Sequence, residues 1–319
     1  MTKIDLIIPM YNSERFIPQL LDSLECQTFK DFTVIFVDDG STDHTCQILR
    51  EQLANVPFAY EIIQQENKGL PGARNAGIRA AKSEWIAFMD SDDGLDEHYL
   101  EFLIRAVENG PVNIGVCSYQ MLGEDEPHRH MTEEDFSVSY IMALELMQRY
   151  YKHWFGACAL ILNREWLKHR NLLFDEECTY LEDIPFITQV IVQSDKIALI
   201  DAPVYIYYQR KGSLIHSPKI EKYQIGLDGF DRMTEKISGL DNPAAREFKK
   251  MGYARYYLAT LHKGATLMPY NQFTELCERV PLKKYSFQFP NLPKKQKYAA
   301  KLYVLSKWLF YNAMRIIPS

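Results

Sequence analysis

Short β-rich runs alternate with helix-period stretches through the first 120 residues, and this alternation restricts the fold more tightly than anything else in the chain. Residues 4–8 (IDLII) and 33–38 (TVIFVD) read as strands. Between them Ile17, Leu20, Leu21 and Leu24 recur at helical spacing, behind a cap at Asn12 or Ser13. A strand, a helix and a strand within about 38 residues form a crossover unit, which implies parallel strands. The unit repeats. A helix capped by Thr42 or Asp43 runs to about Leu53, and a strand spans 60–64. A helix with Pro71 in its first turn spans 71–81, and a strand spans 85–89. A helix over 96–108 and a strand over 113–117 complete a doubly wound, mostly parallel α/β sheet.

Farther on, residues 123–136 are polar and acidic and read as an exposed loop. A strand is expected over 158–162, a helix from Glu182-Asp183 to Gln193, and two strands over 196–200 and 204–208. From about Pro218 the chain turns helical, over 219–238, 243–263 and 271–279, and a linker rich in Pro and Lys (281–297) leads to a last apolar helix over about 298–317. The expected division is a sheet domain over 1–217 and a helical region over 218–319. The 47% hydrophobic and 24% charged composition is ordinary for a globular chain. Six cysteines form no CxxC pair, which argues against a zinc site and a disulfide framework and fits a reducing cytosol. Asp5 interrupts the first apolar stretch, so no secretory leader is expected, and no run of about 20 uncharged apolar residues could span a membrane.

Four polar islands fall at the expected C-terminal ends of strands: Pro9-Met10-Tyr11-Asn12; Asp38-Asp39-Gly40-Ser41-Thr42-Asp43; Asn67-Lys68-Gly69 leading into Gly72–Gly77; and Asp90-Ser91-Asp92-Asp93. In open α/β sheets that rim is where ligands bind. The last island is the most informative. A carboxylate, a spacer and a second carboxylate suit a hard divalent cation that also takes substrate oxygens, although Asp equally favours the cap of a following helix. Asp93 and Asp96 are expected to be such caps.

In order and spacing, IPMYN, VDDGSTD, NKGLPGARNAG and the DSDD cluster resemble the family 2 inverting glycosyltransferases of the GT-A fold, over about residues 3–215. The resemblance implies a nucleotide-sugar donor, usually a UDP-sugar, a divalent metal (Mn²⁺ or Mg²⁺), and inversion at the anomeric carbon. It places Pro9 and Tyr11 against uridine, Asp39 with Asp38 beside it at the uracil or ribose, and Arg74 on the donor. It places Asp90 and Ser91 toward the ribose and metal, and Asp92 on the metal. A carboxylate also reads the imide N–H of uracil, a donor cytosine lacks. Tyr180–Phe186 resembles the family's ED motif, which makes Asp183 the base and Glu182 an acceptor contact or supporting group; two acids at a helix start also fit a purely electrostatic role. Arg210, Lys211, Ser213 and His216 resemble a loop closing over the diphosphate, with His216 either a third metal ligand or a solvated side chain. His128 and His130 show no ligand partner at helical spacing.

From Val280 to Ser319 there are eight basic residues and no acidic ones; the chain's −6 less these eight leaves −14 on the preceding 279 residues. With Tyr303, Trp308, Phe310 and Tyr311, the terminal helix reads as one that lies on an anionic membrane surface, the alternatives being packing on the helical region or a homodimer contact. Nothing resembles an aromatic nucleic-acid platform. The expectation is a cytoplasmic, metal-dependent inverting glycosyltransferase, peripheral at the membrane's inner face, acting on a glycan, lipid-linked or protein-linked acceptor. A sugar nucleotidyltransferase would need a glycine-rich loop that YNSER does not supply, and a silent nucleotide-sugar binder would show a broken metal or base motif.

Overall fold

The computed structural model describes residues 2–124, 126–150, 156–210 and 220–316. Four parallel strands, β1 (Ile4–Met10), β2 (Phe32–Asp38), β3 (Ala59–Gln64) and β4 (Trp85–Phe88), stand in the order β3-β2-β1-β4. They are joined by α1 (Ile17–Glu25), α2 (Thr45–Gln52) and α3 (Gly69–Ala80). Every residue of β1 and β4 is buried, as crossover helices on both faces require. A Cβ at Gly77 would lie 2.3 Å from the Ile7 side chain, so α3 crosses β1 where only glycine fits.

Beyond β4 the sheet is mixed. β5 (Gly94–Leu95) and α4 (Tyr99–Glu108) lead into β6 (Ile114–Gly123), followed by β7 (Val138–Met142) and α5 (Ala143–Tyr150). Then come β8 (Leu160–Asn163), α6 (Arg164–His169), α7 (Asp183–Val192) and β9 (Lys196–Gln209). β8 runs antiparallel between β4 and β6, and β9 lies parallel to β6 and antiparallel to β5 and β7. The two strands expected over 196–200 and 204–208 are one, because residues 201–203 stay extended while β6 follows through a register shift between Cys117 and Tyr119. β6 itself continues past 117 into what reads as loop.

The helical region comprises α8 (Ile220–Lys236), α9 (Pro243–Leu267), α10 (Tyr270–Arg279), α11 (Lys294–Leu305) and α12 (Lys307–Ile316). It shares one apolar core with the sheet domain. Tyr180 meets Tyr223 at 5.4 Å, Asn242 caps α9 while donating to the Val192 carbonyl at 2.7 Å, and Arg232 pairs with Asp175 at 2.7 Å. The expected boundary at 217 falls outside the described residues.

The single helix expected over 298–317 is instead α11 and α12. Ser306 leaves helical geometry at φ −160°, ψ 120°. Its hydroxyl accepts from the Leu309 N–H, so it begins the second helix as it ends the first. Tyr303, Phe310 and Met314 are buried; Tyr298, Leu305, Trp308 and Ile316 are exposed. Among the described residues no helix is long and apolar enough to cross a membrane.

Candidate active site

The turns after β1 and β2 are stapled together. Asn12 takes a left-handed φ of 51°, which Asn tolerates, and its Oδ1 accepts from the Thr42 N–H at 2.8 Å. The Asn12 N–H donates to Ser41 Oγ and the Ser13 N–H to Thr45 Oγ1. This leaves the Tyr11 ring 51% exposed above the rim, an aromatic face open to a planar base. Pro9, also expected against uridine, is buried in β1, two residues before Tyr11.

The paired aspartates after β2 differ. Asp38 Oδ1 accepts from the Ser41 N–H, and Oδ2 accepts from Cys46 and Gln64. Burial pushes its carboxyl up, but these hydrogen bonds outweigh burial and hold it below the ordinary range. Asp38 therefore fastens the loop, where a donor contact was expected. Asp39 Oδ1 accepts from Gln65 Nε2 at 2.6 Å and from the Lys68 N–H at 2.9 Å, which ties the second island to the third. Gly40, at φ 75°, permits that approach, since a Cβ there would stand 3.1 Å from the Asn67 nitrogen.

At the end of β4, Ser91 meets Ser13 at 2.9 Å and so joins the first and fourth islands. Asp93 is no helix cap. It is buried, accepting from Tyr205 Oη at 2.6 Å and from the Tyr208 N–H at 3.1 Å, and it anchors the acidic turn to β9. Asp96 does sit at the start of α4, accepting from the His98 N–H. Asp92 projects, its side chain 47% exposed, with Arg210 at 3.4 Å. Burial raises its carboxyl pKa, the neighbouring Asp90 raises it further, and Arg210 opposes both. Arg210 itself is largely buried, donates to the Asp92 carbonyl, and lies 4.6 Å over the Phe16 ring.

Arg74 was expected to reach the donor; the structure gives it other partners. It is 1% exposed, and its guanidinium donates to Asp90 at 2.8 Å, Asp183 at 2.7 Å and Glu182 at 3.0 Å. One cation thus gathers three carboxylates from two loops. The surrounding ARNAG segment serves the same end: the Asn75 amide donates to the Phe174 carbonyl and accepts the Phe174 N–H, both at 2.9 Å. Phe174 stacks on Phe186 at 3.9 Å, fixing the segment that delivers Glu182 and Asp183. Leu181 enters that pair at φ 57°, a conformation costing a branched residue about 1–2 kcal/mol. Sequence reasoning missed the Asn75 anchor, the two roles of Tyr205, and the Ala157 N–H, which donates to Asp183 Oδ2 at 3.1 Å. The Asn in ARNAG was a usable signal for the first; nothing local marks the other two.

Burial raises the Asp183 pKa, Arg74 opposes it, and Asp90 adds to it. Glu182 is pushed to about 7, by burial first and then by the Asp183 charge, against the pull of Arg74. Burial thus pushes both carboxyls upward, and the two titrate as a coupled pair. Ser213 and His216, with Lys211, lie outside the described residues.

Asp90 and Asp92 suit a hard divalent cation. Two carboxylates are crowded on a half-open rim, their mutual repulsion is what a cation would relieve, and exposed space remains for water and phosphate oxygens. Among the described residues no third protein ligand joins them.

A family model described as Glycosyl transferase family 2 matches residues 5–170. The chain is 31% identical over 222 residues to the uncharacterized glycosyltransferase EpsJ of Bacillus subtilis, a match covering 67% of this chain and 63% of that protein. It is 28% identical to glycosyltransferase GlyA of Streptococcus pneumoniae over 75% of this chain, which spans 35% of that larger protein. The crystal structure of residues 1–349 of Staphylococcus aureus TarS in complex with UDP-GlcNAc superposes with a TM-score of 0.71, at 20% identity, over 98% of this chain and 90% of that one. The sheet and its helical extension thus form a GT-A-type fold. Matched by its model over more than half its length, the chain belongs to glycosyltransferase family 2.

Proposed function

We propose that the enzyme moves a sugar from a UDP-sugar, with Mn²⁺ or Mg²⁺ at Asp90 and Asp92, onto an acceptor hydroxyl of a glycan, free or linked to lipid or protein, with inversion. The observation that carries this reading is the Arg74 hub: one buried guanidinium holds the metal-side Asp90 and the expected base Asp183 in a single cluster. Tyr11 supplies a face for uracil, and Asp39, anchored through Oδ1, offers its other oxygen to the imide N–H. The UDP-GlcNAc complex of TarS supports a uridine donor. The divalent ion, when bound, offsets the charge of the departing diphosphate. Asp183, held by Arg74 and the Ala157 N–H, takes the proton of the attacking hydroxyl as the bond to the diphosphate breaks on the opposite side of the anomeric carbon.

Release of UDP from a panel of UDP-sugars, with Mn²⁺ or with EDTA, tests the donor and metal together. One sugar should be slowly hydrolysed, and EDTA or Asp92→Ala should cut the rate by roughly 100-fold or more. If UDP fails to bind wild type in the presence of Mn²⁺, the uridine reading is lost.

The tail extends the proposal. Exposed Leu305, Trp308, Leu309 and Ile316 share α11 and α12 with Lys294, Lys295, Lys297, Lys301 and Lys307, the combination that seats a helix in an anionic interface. The chain should co-sediment with vesicles rich in phosphatidylglycerol and be released by salt. Equal binding to neutral phosphatidylcholine vesicles would remove the electrostatic part of the idea, and no binding to either would remove all of it.

A further inference from the structure

A second constellation of metal-ligating side chains lies apart from the donor rim, at the start of α4. Ligand atoms of Asp96, His128 and His130 all lie within 4.8 Å of one another. The sequence separates the two histidines from Asp96 by more than thirty residues, so no local spacing reveals the set.

The arrangement is built by named contacts. Asp96 is fully buried; its N–H donates to the Val204 carbonyl at 2.9 Å, and its Oδ2 accepts from the Met131 N–H at 2.9 Å. Gln120 treats Arg129 as a strand neighbour would: its Oε1 accepts the Arg129 N–H and its Nε2 donates to the Arg129 carbonyl, both at 2.8 Å. The same Nε2 reaches the Pro203 carbonyl at 3.1 Å. With residue 129 held in this way, the His128 and His130 side chains come together on either side of it. Their ring centroids are 4.2 Å apart and tilted by 54°, whereas Phe174 and Phe186, which stack by their faces, are tilted by 13°. Nitrogen lone pairs lie on ring edges.

We propose that Asp96, His128 and His130 form a site for a borderline divalent transition ion of the Zn²⁺ class, with its fourth position open to water, and that this ion clamps residues 126–136 to the start of α4. Two imidazoles and one carboxylate are a zinc ligand set, and they disfavour the oxygen-seeking Mg²⁺ expected at Asp92. The absence of CxxC pairs excludes only thiolate-based sites. The neighbouring group of His98, Glu101 and Glu133 does not compete, because Arg105 already neutralises Glu133 at 2.7 Å and Thr28 donates to Glu101 at 2.6 Å.

The full chain, stripped of metal, is titrated with Co²⁺ while its visible ligand-field absorption is followed. One equivalent should give the intense band of a low-coordinate nitrogen–oxygen site in wild type and equally in Asp92→Ala, which separates this site from the donor metal. His130→Asn, at an exposed position, should weaken Co²⁺ binding by ~10-fold or more, and His128→Asn likewise. Zn²⁺ should raise the thermal midpoint of wild type and leave that of His130→Asn unmoved. A Co²⁺ band that persists in both histidine variants, a band that vanishes in Asp92→Ala alone, or no band in wild type would each overturn the assignment.

Discussion

Asp183→Asn is expected to lower kcat by about 10²–10⁴ while leaving UDP binding and folding intact, because it removes a general base and little else. Asn keeps the shape of Asp and an oxygen for the Arg74 guanidinium, which lies 2.7 Å away, while the Ala157 N–H loses its carboxylate acceptor. The change also lightens a crowded cluster. Glu182 is pushed to about 7 by burial and by the Asp183 charge. Between its ordinary 4.5 and about 7 the native state therefore binds more protons than the unfolded chain, so this group's contribution to stability falls as pH rises through that window. Removing the Asp183 charge lets the Glu182 pKa drop, which flattens that slope. Asp183→Asn should accordingly be at least as stable as wild type near pH 8 and close to it near pH 5, where Glu182 already carries its proton in both. In wild type, kcat should decline as pH falls, because burial raises the Asp183 pKa and the base is lost once it takes up its proton. Thermal midpoints and single-turnover rates across pH check both limbs. Retention of activity within a few-fold would move the base elsewhere, and Glu182 would then be the carboxylate to examine.

The strands nearest the site were legible because they are central and parallel. Buried on both faces, β1, β2 and β4 must be predominantly apolar runs, and a turn-rich island follows each. β7 escaped notice because only Ile141 of its five residues is buried, so it shows neither a run nor an alternation. The break at Ser306 was equally silent, since a serine inside an apolar helical period carries no stop signal of its own. Within the site, the sequence marked the rim but not which carboxylates face outward. Asp38, Asp39, Asp90, Asp92 and Asp93 look alike in one dimension. In the fold Asp38 and Asp93 are consumed by loop N–H and side-chain donors, Asp39 is half consumed, and Asp92 alone projects. That distinction depends on backbone donors supplied by β9 and by the stapled turns, which no local pattern encodes.

Arg74 shows the same limit most sharply, and its removal carries the largest expected loss of stability. Helical periodicity places it on α3, yet its partners lie 16, 108 and 109 residues away in sequence. Arg74→Met keeps a hydrocarbon stem but removes the guanidinium, which lies 5.3 Å from the Phe174 ring, and leaves three mostly buried carboxylates with no cation among them. Breaking a buried ion cluster from one side costs about 3–5 kcal/mol, since the remaining charges stay desolvated. The cost must depend on pH. Without the guanidinium, the folded-state pKa values of Glu182 and Asp183 rise further, so the native state binds more protons than the unfolded chain over a wider range, and stability returns as pH falls. Urea unfolding near pH 8 and near pH 5.5 should show the larger penalty at the higher pH, with kcat depressed at both because Asp183 is no longer held in its ionised form. Arg74→Lys should recover only part of the loss, because a single ammonium cannot offer the planar fork that meets three carboxylates at once. If Arg74 only filled space, Met would cost the same at both pH values and kcat would survive; a penalty that tracks proton uptake instead identifies the guanidinium as the element that keeps the base and the metal-side carboxylate charged at a separation repulsion alone would not allow.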